Sequence, residues 1–160
     1  MNKIAVYPGT FDPVTHGHID LIKRGTRIFD RLVVAVAHNP DKNPLFTVSE
    51  RIDMLKEITK DMKNVEIDAF GGLLIDYVHT KRANVVLRGV RAFSDFEYEF
   101  QMALTNRKLD SKTETIFMMP NESFSYVSSK TIKQIASMNA DISKFVPKVV
   151  EEYLKKKLSI

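Results

Sequence analysis

The chain predicts an α/β fold, a doubly wound parallel sheet of five strands with helices on both faces. Three features carry that expectation. Apolar runs of strand length alternate with amphipathic runs of helix length from one end to the other. Arg31-Leu32-Val33-Val34-Ala35-Val36-Ala37 is almost unbroken in β-branched and small apolar residues, as expected of a strand covered on both faces. The first apolar run passes through a Pro- and Gly-containing turn directly into a helical pattern, which reads as the opening of a βαβ unit.

In chain order, Ile4 to Tyr7 reads as a buried strand, followed by a loop and then a helix carrying Ile19, Ile22, Ile28 and Phe29 near helical spacing. The second strand, 31–37, leads into the loop Asn39-Pro40-Asp41-Lys42-Asn43-Pro44. Thr47 and Glu50 have capping-box spacing and open a helix through Ile52, Leu55, Ile58 and Met62. Val65 to Phe70 alternates as a third strand ended by Gly71-Gly72, and a helix is expected over 73–82. Ala83 to Leu87 is a fourth strand, Ser94 to Leu109 a long helix, and Thr115 to Met119 a fifth strand. Phe93, Phe96, Phe100, Met102 and Leu104, on the long helix and the residue before it, are expected mostly in the core, with a subunit contact as the alternative. The chain closes on a helix whose Lys155, Lys156 and Lys157 suit a helix C-terminus.

Composition narrows the function. The 160 residues suit a single domain spanning 1–160, with 44% hydrophobic and 28% charged residues. No stretch approaches the ~20 apolar residues that span a bilayer, and no basic-then-apolar leader opens the chain, so a cytoplasmic protein without membrane partners is expected. The absence of Cys excludes disulfides, thiolate metal sites and cysteine nucleophiles. A net charge of +4 is spread among 20 acidic residues; this favours solvated helix faces or small polyphosphates over nucleic acid.

The chemistry concentrates where strands end. A helix starting just after a strand aims free N–H groups and a positive dipole end at the loop, so residues 7–18, with Thr10, Thr15, His16 and His18, form a candidate phosphate site. Thr15 also reads as a plain helix cap. Thr10 and His18 follow the first strand, Asn39 and Lys42 the second, Arg88-Gly89-Val90-Arg91 the fourth, and Phe124 to Lys130 the fifth. In a parallel sheet all of them reach one crevice at the carboxyl ends. Two readings of Arg88 and Arg91 stand side by side: bidentate grip on phosphates, with Gly89 letting the backbone approach, or ion pairing with Asp95, Glu97 or Glu99. One arginine can do both. Ser128 or Ser129 caps the following helix and turns its first N–H groups toward the crevice, so Phe124 to Lys133 forms a second phosphate nest. His16 and His18 are not read as metal ligands, because residues two apart on a helix do not share a face and no third ligand is apparent. Asp12 reads as a loop-fixing carboxylate, and His38 and His79 carry no signal.

Gly9-Thr10-Phe11-Asp12-Pro13 followed by Thr15-His16-Gly17-His18 resembles the signature of the nucleotidyltransferase superfamily, G-x-F-D-P then (H/T)-x-G-H. The remaining motifs, the Lys42 loop, Gly72-Leu73-Leu74, Arg88-Gly89-Val90-Arg91-Ala92, Asp95 to Glu99 and Ser128-Ser129, are similar in order to the bacterial phosphopantetheine adenylyltransferases along essentially the whole chain. Val127, Lys130 and Lys133 stand where the superfamily pattern has Ile, Thr and Arg; a lysine keeps charge without the guanidinium fork. The resemblance implies a Rossmann-like nucleotidyltransferase fold and transfer of AMP from ATP to 4′-phosphopantetheine, with Mg²⁺ accompanying ATP, in a homohexamer. It implies Thr10, His18 and Lys42 as catalytic, and Thr10, Lys42, Leu74 and Arg88 as binding phosphopantetheine. For ATP it implies Thr10, Phe11, His18, Gly89, Val90, Arg91 and Glu99, together with Phe124, Ser125, Tyr126, Val127, Ser128, Ser129 and Lys130. No protein ligand set for the metal is expected. The alternatives are a nucleotidyltransferase of other specificity, such as a CTP-dependent one, a nucleotide sensor without turnover, and a nucleic-acid-binding module.

Overall fold

The structure, a computed structural model, describes residues 3–38 and 43–159, the side chains of Phe93 and Ser94 excepted. Five strands, β1 (Ile4–Gly9), β2 (Arg31–Ala37), β3 (Val65–Phe70), β4 (Val85–Gly89) and β5 (Glu114–Met118), form one sheet in the order β3-β2-β1-β4-β5. All pairings are parallel. The helices are α1 (His16–Ile28), α2 (Val48–Thr59), α3 (Leu74–Thr80), α4 (Phe93–Leu109), the short α5 (Glu122–Ser125), α6 (Ser129–Ala136) and α7 (Lys148–Leu158).

The pleat of the central strands sorts two layers. Ala5, Tyr7, Leu32, Val34, Val36 and Leu87 face a large core shared with α1, α2, α6 and α7, while Val6, Val33, Ala35 and Val86 face a smaller one with Val78 and Ala83. Buried on both faces, β1 and β2 need near-continuous apolar sequence. Because β1 has β2 on one side and β4 on the other, the direction of winding reverses between β1 and β4. A crevice opens there at the carboxyl ends, between the loop after Gly9 and the residues after Gly89.

Several boundaries move from the sequence reading. The fourth strand lies two residues further on, so Arg88 and Gly89 sit inside it, paired with Phe117 and Met118. Hydrophobicity ends at Leu87, but the backbone ladder does not. Short α5 was not anticipated, and Ile28 is half exposed at the end of α1. The expectation that the apolar residues of α4 are mostly core is overturned: Phe96, Phe100, Met102 and Leu104 are 39–50% exposed, and Tyr98 is 61% exposed. α4 packs chiefly on the edge strand β5, and its apolar residues are spread around the helix, so one small contact cannot bury them all. Among the described residues, no helix is long and apolar enough to cross a membrane.

Candidate active site

A cavity of about 840 Å³ occupies the switch point. The β1–α1 loop supplies Thr10, Phe11 and Asp12; α1 supplies Gly17, His18 and Leu21; β4 and its exit supply Arg88, Gly89 and Arg91; the segment around α6 supplies Phe124, Val127, Ser128, Ser129, Lys130 and Lys133. Residues separated by more than a hundred positions thus line one space.

His18 is placed by its own helix. Thr15 is the N-cap of α1, and its hydroxyl accepts the His18 N–H at 3.4 Å, while His18 Nδ1 accepts the Thr15 backbone N–H at 3.0 Å. This reciprocal cap replaces the usual Glu or Gln with an imidazole. A ring that accepts at Nδ1 carries its proton on Nε2, so the free nitrogen is a donor. Phe11, at φ 49° and nearly fully buried, packs edge-on against that ring with centroids 5.1 Å apart. Burial, with Arg91 and Arg88 adding repulsion, pushes the His18 pKa down to about 4, so the ring is neutral at physiological pH. The cap that Thr15 provides is also what orients the His18 ring.

Of the first N–H groups of α1, His16 donates to the Phe145 carbonyl at 3.0 Å and His18 to Thr15. Among the described residues nothing accepts from the Gly17 N–H, and Gly17 lines the cavity. Gly17 is therefore the helix-start donor open to an anion. At α6, Ser128 caps by accepting from Thr131 N–H at 3.0 Å, and the Ser129 hydroxyl donates to the Pro13 carbonyl at 2.7 Å. Ser129 thereby ties the start of α6 to the β1–α1 loop.

The ion-pairing reading of the arginines is realised, and both residues line the cavity. Arg88 Nε donates to Glu99 Oε2 at 2.6 Å, Nη2 to Oε1 at 2.5 Å and Nη1 to the Pro8 carbonyl at 2.8 Å, yet the residue still lines the cavity. Burial works against its charge, and Glu99 more than offsets this, holding the guanidinium above its usual range. Arg91 donates to Asp95 at 3.1 Å and to the Val127 carbonyl at 2.9 Å. Asp12 accepts from the Leu45 and Phe46 N–H groups at 3.0 and 2.9 Å and pairs with Lys133 at 2.5 Å. The loop-fixing reading of Asp12 is right, and it partly neutralises Lys133.

Four expected residues do not line the cavity. Leu74 opens α3 and packs on the smaller core instead. The Val90 N–H is taken by the Met118 carbonyl at 3.1 Å, extending the β4–β5 ladder. Ser125 turns its hydroxyl back to the Glu122 carbonyl within α5, and Tyr126 is 74% exposed. The unforeseen turn of α5 takes both away from the crevice. Gly89 lines the cavity, but its lack of a side chain answers packing: a Cβ there would lie 2.5 Å from Leu21 Cδ1. Lys42 and Asn39 lie outside the described residues. Tyr7, Gly17 and Tyr98 line the cavity without having been given roles from sequence, although the place of Gly17 after the cap was a usable signal.

The cytidylyltransferase-like family model matches residues 6–135. The phosphopantetheine adenylyltransferase of Alkaliphilus metalliredigens is 51% identical over 155 residues, covering 97% of this chain and 99% of its own. The chain belongs to the phosphopantetheine adenylyltransferase family. A second member, from Caldanaerobacter subterraneus subsp. tengcongensis, is 54% identical over 155 residues, covering 97% of both chains. Two solved structures share the fold alone. A bifunctional NMN adenylyltransferase/ADP ribose pyrophosphatase from Francisella tularensis aligns with TM-score 0.75 at 14% identity, over 100% of this chain and 51% of that one. A lipopolysaccharide core biosynthesis protein from Thermoplasma volcanium aligns with TM-score 0.57 at 22% identity, over 76% and 99%. The parallel α/β fold and the nucleotidyltransferase reading of residues 7–18 are thereby borne out.

Proposed function

We propose that this chain transfers AMP from ATP to 4′-phosphopantetheine, giving dephospho-coenzyme A and pyrophosphate. The observation that carries the reading is the joining of a neutral His18, a free helix-start N–H and two arginines in one cavity, in a chain of this family. The acceptor phosphate has a second pKa near ~6 and is already mostly dianionic at neutral pH, so it needs no general base. One of its oxygens bonds to the α-phosphorus as the bond from that phosphorus to the oxygen bridging to the β-phosphate breaks, and pyrophosphate leaves with the electron pair. No covalent enzyme intermediate is formed. The protein's work is positioning and charge stabilisation.

In this reading Thr10 and Lys42 orient the attacking phosphate, and His18 Nε2–H donates to an α-phosphate oxygen as its charge grows. Arg88 holds the pantetheine phosphate. Arg91 and the Gly17 N–H meet the ATP phosphates, while Phe124, Val127 and the α6 start flank the nucleotide. Mg²⁺ enters as the complex with ATP. Among the described residues no group of three His, Cys, Asp or Glu is placed to hold a metal. The carboxylates lining the cavity, Asp12, Asp95 and Glu99, are each paired with a cation. They do not form a cage for the ion, whose ligands would be phosphate and water oxygens.

Purified protein with Mg²⁺ should release pyrophosphate when given ATP and 4′-phosphopantetheine together, with dephospho-coenzyme A confirmed by mass. Turnover of CTP or another phosphorylated acceptor in place of this pair would discard the assigned substrates. Tight nucleotide binding without turnover would point to a sensor.

A homohexamer belongs to the same proposal. The apolar residues exposed on α4 and β5, Phe96, Phe100, Met102, Leu104 and Ile116, support burial of this face between copies. Light scattering should give the mass of six 18.3-kDa chains. A monomer mass at working concentration would reject it.

A further inference from the structure

We infer that Arg51 is the positioning residue for Thr10, holding the carboxyl ends of β1 and β2 at the spacing the phosphates require. Arg51 stands on α2 and is 1% exposed. Its Nη1 donates both to the Thr10 carbonyl at 2.8 Å and to the Ala37 carbonyl at 3.1 Å, and its Nε donates to the Thr47 carbonyl at 3.3 Å. Thr10 directly follows β1, and Ala37 is the last residue of β2. At the carboxyl edge of a parallel sheet, such carbonyls point out of the ladder with no strand partner and repel one another. A guanidinium nitrogen between them turns that repulsion into two charge-assisted hydrogen bonds.

A core that needed only filling would be served by Met or Leu. Burying a cation against carbonyls, with Asp12 as the nearby opposite charge, carries a desolvation cost that packing alone does not explain. Arg51 does what an apolar residue cannot do: it ties the first turn of α2 to the two strand ends that flank the crevice. Asp12 acts from the other side. By accepting the Leu45 and Phe46 N–H groups it anchors the chain shortly after Lys42, as Arg51 anchors it at Ala37. Thr10, Ala37 and the Leu45–Phe46 segment are thereby referenced to one frame. The carbonyl that Arg51 holds belongs to Thr10 itself, so the bond fixes the backbone from which the threonine side chain projects.

The inference rests on the proposed reaction, and the test separates the two. Pyrophosphate release is measured for the wild type, Arg51→Lys, Thr10→Ala and the double variant. Lysine keeps the charge but lacks the fork that reaches Thr10, Ala37 and Thr47 together. Arg51→Lys should lower kcat by roughly 10- to 100-fold with KM for ATP changed by less than about threefold, the signature of misplacement rather than lost binding. In the Thr10→Ala background the same change should cost less than about threefold, because a residue acting through Thr10 has nothing left to place. Equal losses in both backgrounds, or no loss in either, would overturn the inference while leaving the reaction standing. If Arg51→Lys does not fold, Arg51→Gln takes its place; failure of both to fold would make Arg51 a determinant of the fold and likewise overturn it. A wild type inactive with this substrate pair would remove the proposed reaction and the inference with it.

Discussion

His18→Ala lowers kcat by about 10²–10³ while KM for ATP changes little, because the imidazole's contribution grows only as charge builds on the α-phosphate. Steady-state kinetics with 4′-phosphopantetheine checks this; equal losses in ATP affinity and kcat would show that the ring serves binding. The size follows from the donor's preorganisation. Thr15 sets the tautomer from behind and Phe11 supports one edge of the ring, so Nε2–H needs no rearrangement when the transition state forms. The lowered pKa has a second consequence. His18 falls from an ordinary 6.5 to about 4 in the folded chain, so below 6.5 the unfolded chain binds a proton that the folded chain refuses. Its contribution to stability is thus undiminished above 6.5 and is lost as pH falls toward 4. Thermal melts across that window should show a decline that is shallower in His18→Gln. A slope unchanged by the substitution would assign the acid loss to other groups.

Arg88→Ala has the second largest effect, and it acts in two places. Removing the guanidinium takes a charge-assisted hydrogen-bond partner from the acceptor phosphate, weakening 4′-phosphopantetheine binding by about 10²-fold. It also leaves Glu99, whose side chain is 11% exposed, without its counter-ion, at about 2–3 kcal/mol of stability. The two losses separate in the double variant. Arg88→Ala with Glu99→Ala should regain most of the stability, since no buried carboxylate is stranded, and regain none of the phosphopantetheine affinity. Calorimetric binding and denaturant melts on the same samples test both halves. Recovery of affinity in the double variant would make the arginine a structural partner of Glu99 only. This pairing also explains why sequence alone left two readings of Arg88: a cavity cation needs a carboxylate to keep it folded and ordered when no phosphate is bound.

Local chemistry made much of this molecule legible. The Thr15 and Thr47 caps, the two-face-buried run 31–37 and the Ser128 cap all sit where spacing placed them, because capping and periodicity depend on residues within a few positions of one another. The same locality misled at β4, where apolar character stops before the ladder does, and at Ser125 and Tyr126, where a four-residue turn reverses their direction. It also misjudged α4, since an apolar residue on a helix marks something to be covered, not what covers it.

By itself, the sequence determined the elements, their parallel alternation, the absence of thiol chemistry and the gathering of hydroxyl-, imidazole- and guanidinium-bearing loops at strand ends. Only the tertiary structure decided the strand order that sets β1 beside β4, the choice of Glu99 as partner of Arg88, the tautomer of His18, the exclusion of Leu74 from the cavity, and the hold of Arg51 on the Thr10 carbonyl. The physical reason is range. Caps, turns and amphipathic faces are settled by neighbours along the chain, whereas the partner of a buried charge or carbonyl is whichever group packing brings within about 3 Å, and that depends on contacts across the whole sheet.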